Sequence, residues 1–233
     1  MVRPGLRKCD NSSTDDDAAP NPTYRRTVAP LREVDLQGLY HAMSRGNFRQ
    51  LTFLDDSHYA KYLRLLHRVT LRRDWTILDW CLMPNHFHLV IQLNEGGLSE
   101  GMRELNGCFS RWSNARTGRT RTGHLWKNRF KSVDLEEEGH LWEVLRYVPN
   151  NPVVAGLVAR PEEWPWSGYR ATIGLEYPYA FHQPSELLRY FAVRPEVAIR
   201  RYKRFVHDGL ARAGAVPWSD QETWSPPHGS IAT

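Results

Sequence analysis

The sequence predicts an α+β protein in which an antiparallel sheet carries helices on one face, and three observations support this class. The chain has 233 residues, of which 41% are hydrophobic and 24% charged, so it can bury a substantial core. Alternating apolar and polar residues, typical of half-buried strands, occur on both sides of a Pro84-Asn85 turn. Segments with apolar residues at helical spacing precede and follow this strand pair.

The first half of the pattern begins with a strand over residues 39–44, ended by a turn at Arg45-Gly46-Asn47. A helix follows over residues 59–69, with Asp55 or Asp56 as its cap. The next two strands cover residues 75–81 and 87–92. Their short Pro-Asn connection suits a hairpin.

The second half continues after the Gly96-Gly97 break with a helix over residues 98–116. A fourth strand over 126–133 and a third helix over 141–147 complete the order β-α-β-β-α-β-α. This order predicts a ferredoxin-like antiparallel sheet with helices on one face. Residues 185–212 indicate two short helices, which form a small C-terminal helical module.

Composition along the chain predicts four regions. Residues 1–30 are rich in Pro, Asn, Ser, Thr and Asp and should form a disordered leader. The main domain is expected over residues 31–174, the C-terminal helical module over 175–212, and a flexible tail over 213–233.

The same composition excludes several protein classes. The longest apolar runs, such as Leu89-Val90-Ile91, fall far short of the ~18–20 residues of a membrane helix, and the N-terminus lacks the apolar segment of a secretory signal. The three cysteines contain no C-x-x-C pair. We therefore expect a protein of a reducing compartment, the cytoplasm, without a zinc ribbon.

The formal net charge of +5 is concentrated in two segments. Residues 103–131 carry a balance of +7, residues 189–212 carry +5, and the remainder of the chain is acidic. Aromatic residues are interleaved with these bases, as in proteins that neutralise phosphates and stack nucleic-acid bases. For the second segment, a solvated helix face over core aromatics is an open alternative.

The most specific local pattern is His86-Phe87-His88 on the predicted third strand. Because side chains alternate along a strand, both imidazoles share one face and can hold one divalent ion. A pair of surface histidines is the plain alternative. A zinc hydrolase is another, and it would need a third strong ligand, for which His41 is the candidate.

Agreement with a known family extends over about residues 31–210. The matching motifs are Tyr40-His41, Ser44-Arg45-Gly46-Asn47, Cys81-Leu82-Met83-Pro84-Asn85-His86-Phe87-His88, Met102-Arg103, Leu105-Asn106, Gly123-His124-Leu125-Trp126, Arg146-Tyr147-Val148, Asn151-Pro152-Val153, Ala155-Gly156-Leu157-Val158 and Trp164-Pro165-Trp166-Ser167 with Tyr169. By these motifs the chain resembles the REP-associated tyrosine transposases, which are chromosomal relatives of the HUH single-tyrosine insertion-sequence transposases, where U is a bulky apolar residue.

The resemblance implies a set of catalytic roles. Tyr147 would be the nucleophile that forms a 5′-phosphotyrosine link, and His86 and His88 would bind one Mg²⁺ or Mn²⁺ ion. Asn151, one helical turn after the tyrosine, would complete the metal site. Two departures from the family are Pro149, which disfavours helical geometry before it, and Val154, where many relatives carry Arg.

The resemblance also implies a substrate, single-stranded DNA hairpins formed by palindromic repeats, and a bacterial, nucleoid-associated location. A monomer and a homodimer are both compatible with it. The expected DNA-binding residues are Arg45, His124, Trp126, Lys127, Arg129, Lys131, Arg200, Arg201, Lys203 and Arg204. The alternative function from another class is a catalytically inactive nucleic-acid-binding module.

Overall fold

The computed structural model describes residues 38–95, 97–118, 124–135 and 138–210, with the backbone alone for 138 and 139. The predicted leader and tail, as well as Cys9, lie outside these ranges. No helix in the described ranges is long and apolar enough to cross a membrane. The elements in chain order are β1 Gly38–Arg45, α1 Asp56–Arg73, β2 Trp75–Met83, β3 His86–Leu93, α2 Leu98–Thr117, β4 Lys131–Asp134, α3 Glu138–Val154, α4 Tyr169–Thr172, α5 Pro184–Leu188 and α6 Pro195–Leu210.

The strands form one four-stranded sheet in the order β2-β3-β1-β4, and all neighbours are antiparallel. This arrangement confirms the predicted α+β class and its ferredoxin-like order. The strand β4 is shorter than the predicted 126–133, because Trp126 makes an isolated bridge with Gly46 before regular pairing begins at Lys131.

One face of the sheet packs against α1 and α2. The side chain of Asp55 caps α1 by accepting a hydrogen bond from the His58 N–H at 3.2 Å, as the sequence indicated. Phe87 is fully buried in this layer, with its ring 5.0 Å from Tyr62 and 5.4 Å from Trp126. The apolar residues of alternate strand positions therefore form a continuous aromatic core on this face.

The opposite face is covered by α3 and α6, so the helices occupy both faces rather than one. The predicted C-terminal module supplies α5 and α6 to this layer, and the apolar side of α6 is buried through Ala198, Tyr202 and Val206. The Asn150 side chain on α3 donates a hydrogen bond to the Val206 carbonyl at 2.8 Å. An amphipathic pattern shows that a helix has an apolar side, but not which face of the sheet that side meets.

An extra residue, Leu78, interrupts the β2–β3 pairing between Ile77 and Asp79. Asp79 is fully buried there, and it accepts hydrogen bonds from the Trp80 N–H at 2.8 Å and the Tyr202 hydroxyl at 3.3 Å. Burial raises the pKa of its carboxyl from 3.8 to about 7. A carboxyl whose neutral form is favoured up to about pH 7 thus joins β2 to α6.

Candidate active site

The strand β3 carries His86 and His88 to the face covered by α3. Its partners on β1 are Arg45 opposite His86 and Met43 opposite His88. Because side chains alternate, Phe87 enters the α1/α2 core while the two imidazoles share the other face. Their ring centroids are 5.0 Å apart, as the strand pattern predicts for neighbours on one face.

His88 is held by a second buried histidine. Its Nδ1 lies 2.9 Å from Nε2 of His41 on β1, and the two rings are stacked with centroids 5.0 Å apart. Burial lowers the pKa of His41 to about 4, and it also lowers that of His88, with further contributions from His86, His41 and Arg45. Both rings are therefore neutral at pH 7, and the hydrogen bond between them contains one proton. Nε2 of His88 is buried without a hydrogen-bond partner among the described residues.

His86 is held in a similar way by a buried amide. Its Nδ1 lies 2.7 Å from Oδ1 of Asn85, the residue before it. Burial lowers the pKa of His86 to about 3, the positive charge of Arg45 lowers it further, and a hydrogen bond with the Asn151 side chain opposes both effects. Each histidine of the pair therefore has its Nδ1 occupied by a neighbouring side chain, which leaves Nε2 as the atom for a ligand.

The helix α3 places Tyr147 and Asn151 against these histidines. The Tyr147 ring meets His88 edge-on, with centroids 5.2 Å apart, and the Asn151 side chain reaches His86. Nδ2 of Asn151 donates to the Tyr147 carbonyl at 2.9 Å, one turn earlier. The helix continues through Pro149 and Pro152, so the unusual proline does not separate the tyrosine from the amide.

The donor atoms fit one divalent cation. Two neutral imidazoles and an amide oxygen are compatible with Mn²⁺ or Mg²⁺, and the unpartnered Nε2 of His88 is a buried acceptor of the kind that a metal ion would satisfy. His41 contacts Nδ1 of His88 and so lies behind that ring, away from its Nε2. Within the described ranges, no three His, Cys, Asp or Glu side chains are grouped to hold a metal ion. The geometry therefore does not provide His41 as the third ligand of a zinc hydrolase.

The predicted DNA-binding residues fall into three places. Arg45 is half-buried beside the histidines, whereas His124, Lys127, Arg129 and Lys131 are exposed near the same end of the sheet. Trp126 is the exception. Trp126 is only 8% exposed and packs on Phe87. Its indole N–H donates to the Asn106 carbonyl at 3.3 Å. The structure therefore corrects its assignment, because a core indole has no free face for a nucleic-acid base.

The remaining basic residues form a second surface on α6. Arg200, Arg201, Lys203 and Arg204 are exposed on the part of α6 that is not buried with Tyr202. Arg201 donates to the Phe191 carbonyl at 2.9 Å. The helix packs on α3 through Arg146, whose guanidinium lies 5.6 Å from the Phe205 ring centroid. The basic surface is thus attached to the helix that carries Tyr147.

Sequence reasoning gave Asn85 no role of its own, and it offered His41 only as the third ligand of a zinc hydrolase. Asn85 is 3% exposed although it lies in a hairpin turn, and His41 is fully buried between Tyr40 and Ala42 on β1. The signal for both is a polar residue at a position where burial is expected, since buried polar groups are nearly always hydrogen-bonded.

Comparison with known proteins relates this chain to IS200-like and REP-associated tyrosine transposases. Residues 36–151 match the family model described as "Transposase IS200 like". A REP-associated tyrosine transposase of Haemophilus influenzae (strain ATCC 51907 / DSM 11121 / KW20 / Rd) is 29% identical over 108 residues, which cover 42% of this chain and 61% of that protein. A solved REP-associated tyrosine transposase bound to a REP hairpin has a similar fold, with a TM-score of 0.52 and 23% identity, over 65% of this chain and 91% of that one.

The structural match and the family match agree with each other. The four-stranded antiparallel sheet with its helices is the fold of the solved transposase. The segment 36–151 belongs to the IS200-like transposase family, and it contains the paired histidines, Tyr147 and Asn151.

Proposed function

We propose that this protein is a metal-dependent single-stranded DNA endonuclease and strand transferase in which Tyr147 is the nucleophile. The observation that carries the proposal is the contact of the Tyr147 ring with His88, whose free Nε2 is buried beside it. A tyrosine, two imidazoles and an amide on facing elements are the groups needed to exchange a phosphodiester bond.

The proposed metal ligands are His86, His88 and Asn151. When bound, one Mg²⁺ or Mn²⁺ ion would polarise the scissile phosphate and stabilise the negative charge that develops on its oxygens. Asn85 and His41 orient the two imidazoles through their Nδ1 atoms. Arg45 adds a positive charge that acts on both histidines and would also attract the phosphate.

In the proposed reaction, the Tyr147 oxygen forms a bond to phosphorus while the bond from phosphorus to the 3′ oxygen breaks. The phenol proton leaves, and the departing 3′ oxygen takes up a proton to become a free 3′-OH. The 5′ phosphate remains attached to Tyr147, so the number of phosphate ester bonds is unchanged. Rejoining to another 3′-OH therefore needs no external energy source.

The proposed substrate is a single-stranded hairpin formed by a palindromic repeat. A relative of the same fold is bound to a REP hairpin, and this chain has two exposed basic surfaces. One lies at the sheet end with Lys127 and Arg129, and the other on α6 with Arg200 and Lys203. Such surfaces would contact phosphates and recognise the hairpin mainly by its shape.

A covalent-capture experiment tests this function. The 5′-phosphotyrosine link retains the DNA on the 3′ side of the cut, so the label must be at the 3′ end of the oligonucleotide. We expect single strands covering the repeats around the coding sequence to label the wild-type protein in Mn²⁺ after denaturation. Tyr147→Phe should abolish labelling, because it removes the attacking oxygen.

The matched control is Tyr177→Phe, since Tyr177 is 98% exposed and lies outside the site. This variant should label as well as the wild type. Equal labelling of Tyr147→Phe would refute the assignment of the nucleophile. Salt-sensitive hairpin binding without any covalent product in Mg²⁺ or Mn²⁺ would instead indicate an inactive binding module.

A further inference from the structure

An exposed phenylalanine lies in a strained turn directly after β1. Phe48 has φ 49° and ψ 29°, and the next residue, Arg49, has φ 56°. The Phe48 residue is 90% exposed. Two consecutive side chains in left-handed backbone geometry, one of them a large exposed aromatic, work against folding stability, and such strain is often found at functional sites.

The turn is held from both sides by hydrogen bonds. The Gly46 N–H donates to the Asn85 carbonyl at 2.7 Å, and the Asn47 N–H donates to the Leu125 carbonyl at 2.8 Å. Within the turn, the Phe48 N–H donates to Oδ1 of Asn47 at 3.1 Å. Its backbone is therefore imposed by neighbouring segments.

The same contacts connect the turn to the candidate active site. Nδ2 of Asn85 donates to the Arg49 carbonyl at 3.4 Å, while Oδ1 of the same side chain lies 2.7 Å from Nδ1 of His86. Arg45, which is paired with His86 in the β1–β3 register, immediately precedes the turn. One buried amide thus fixes both the aromatic turn and a proposed metal ligand.

Basic residues lie near this turn. Arg45 and Arg49 flank it in the chain, and the Lys127 N–H donates to the Arg45 carbonyl at 2.9 Å. The Lys127 side chain is exposed, as is that of Arg129. An exposed aromatic ring next to basic residues is suited to a ligand that combines a flat apolar surface with phosphate charge.

We infer that Phe48 is a stacking platform for one unpaired nucleobase of the DNA strand that enters the active site. This inference rests on the proposed function, because it assumes that the strand lies beside the histidines. Stacking would place one base against the ring while the neighbouring cations contact the phosphates. It would help to hold the strand in register with Tyr147.

The test measures DNA binding in a Tyr147→Phe background with EDTA, so that neither cleavage nor metal affects the result. The probe is a fluorescent hairpin of the flanking repeat with its single-stranded arm, together with versions in which each arm nucleotide in turn is abasic. Phe48→Ala should weaken binding of the intact probe by about 5- to 150-fold, the range expected for one stacked base. It should have no effect on the single abasic probe that already lacks the stacked base.

Three further variants separate stacking from a structural role. Phe48→Tyr should retain binding, because it keeps the ring, and Tyr177→Ala should also retain it as an exposed aromatic control. Phe48→Gly should weaken binding like Phe48→Ala but raise the melting temperature by about 2–4 °C, because glycine accepts positive φ at little cost. If the ring had a structural role, Phe48→Gly would lower both the DNA affinity and the melting temperature.

The possible failures are distinguishable. If the probes bind but Phe48→Ala binds all of them as well as the parent protein, the inference is wrong and the proposed function survives. A uniform loss over intact and abasic probes also refutes stacking. If no probe binds, the proposed function fails and the inference fails with it. Normal DNA binding combined with self-association that requires Phe48 would identify a protein contact instead.

Discussion

The two faces of the sheet are built on different principles although they share the same strands. On the α1/α2 face, alternate residues of β3 contribute Phe87, Leu89 and Ile91, all fully buried among aromatic rings. On the α3/α6 face, the same strand contributes His86 and His88, and the strand beside it contributes the buried His41. One face is a packed apolar layer, and the other is an apolar layer with polar groups inserted in it.

The packed α1/α2 face fixes the strand register that positions the polar groups of the α3/α6 face. The register between strands is specified by the aromatic layer, because a shift by one residue would move Phe87 to the α3/α6 face and the histidines into the aromatic layer. The buried polar residues of the other face are stabilised by hydrogen-bond partners more than by close packing. His88 is paired with His41, His86 with Asn85, and Asp79 with Tyr202. Substitutions on the two faces should therefore have different consequences.

The largest effect is expected on the apolar face. Phe87→Ala should lower the free energy of unfolding by about 3–5 kcal/mol, because it removes a fully buried ring and leaves a cavity next to Tyr62 and Trp126. Urea unfolding measures this change. Leu71→Ala, at a residue 71% exposed on α1, is the control and should change stability by less than about 0.5 kcal/mol. A loss below about 1 kcal/mol for Phe87→Ala would show that this layer is not tightly packed.

A smaller effect of opposite sign is expected at Asp79. Its pKa is raised from 3.8 to about 7 by burial, which corresponds to roughly 4 kcal/mol between its protonation states. A raised folded-state pKa stabilises the protein below the unfolded value, and this contribution is lost as the pH rises towards 7. Asp79→Asn keeps a polar partner for Trp80 and Tyr202 without the charge. It should increase the free energy of unfolding at pH 8 by about 2 kcal/mol.

The pH profile is the informative measurement for Asp79. The difference between Asp79→Asn and the wild type should grow from about pH 4 to about pH 8. The other titratable groups near this carboxyl are Tyr169, Tyr202, Cys81 and His182, all of which are buried. Asp208→Asn, at an exposed position on α6, should leave the profile unchanged. Parallel profiles for Asp79→Asn and the wild type would contradict the raised pKa.

The apolar face was also the more predictable of the two from sequence. Period-two and helical patterns predicted α2 over 98–116, and the structure has Leu98–Thr117. The strand β4 was predicted to begin five residues too early, because the chain at Trp126 makes an isolated bridge to Gly46 before regular strand pairing starts at Lys131. The packing of α3 and α6 on the other face depends on tertiary contacts that local periodicity does not contain.

In the candidate site, too, local spacing predicted some features, whereas others depend on tertiary contacts. Alternation along one strand predicted that His86 and His88 share a face, and helical spacing predicted that Tyr147 and Asn151 do so. The contact of His41 with His88 joins residues 47 positions apart and depends on the β1–β3 register. Burial of Trp126 could not be predicted either, because an aromatic residue among basic residues fits both a core and a stacking surface.

The smallest predicted effect concerns metal affinity at the polar face. His41→Ala should weaken Mn²⁺ binding by about tenfold, or about 1.4 kcal/mol, because Nδ1 of His88 loses the partner that orients the ring. Isothermal titration calorimetry of the protein with Mn²⁺ alone measures this change without DNA. His41→Gln should restore part of the affinity, because its amide can reach the position of the lost Nε2.

The control for this effect is His182→Ala. His182 is also a buried histidine, but its Nε2 lies 3.2 Å from the Leu78 carbonyl, and its ring approaches Gly168 rather than the paired histidines. Its removal should leave Mn²⁺ affinity unchanged whatever it does to stability. If both substitutions weaken Mn²⁺ binding equally, the loss reflects general loosening of this face, and His41 has no specific positioning role. If only His41→Ala weakens it, the buried pair on β1 and β3 orients the proposed metal ligand, and the apolar layer beneath sets the register that brings the pair together.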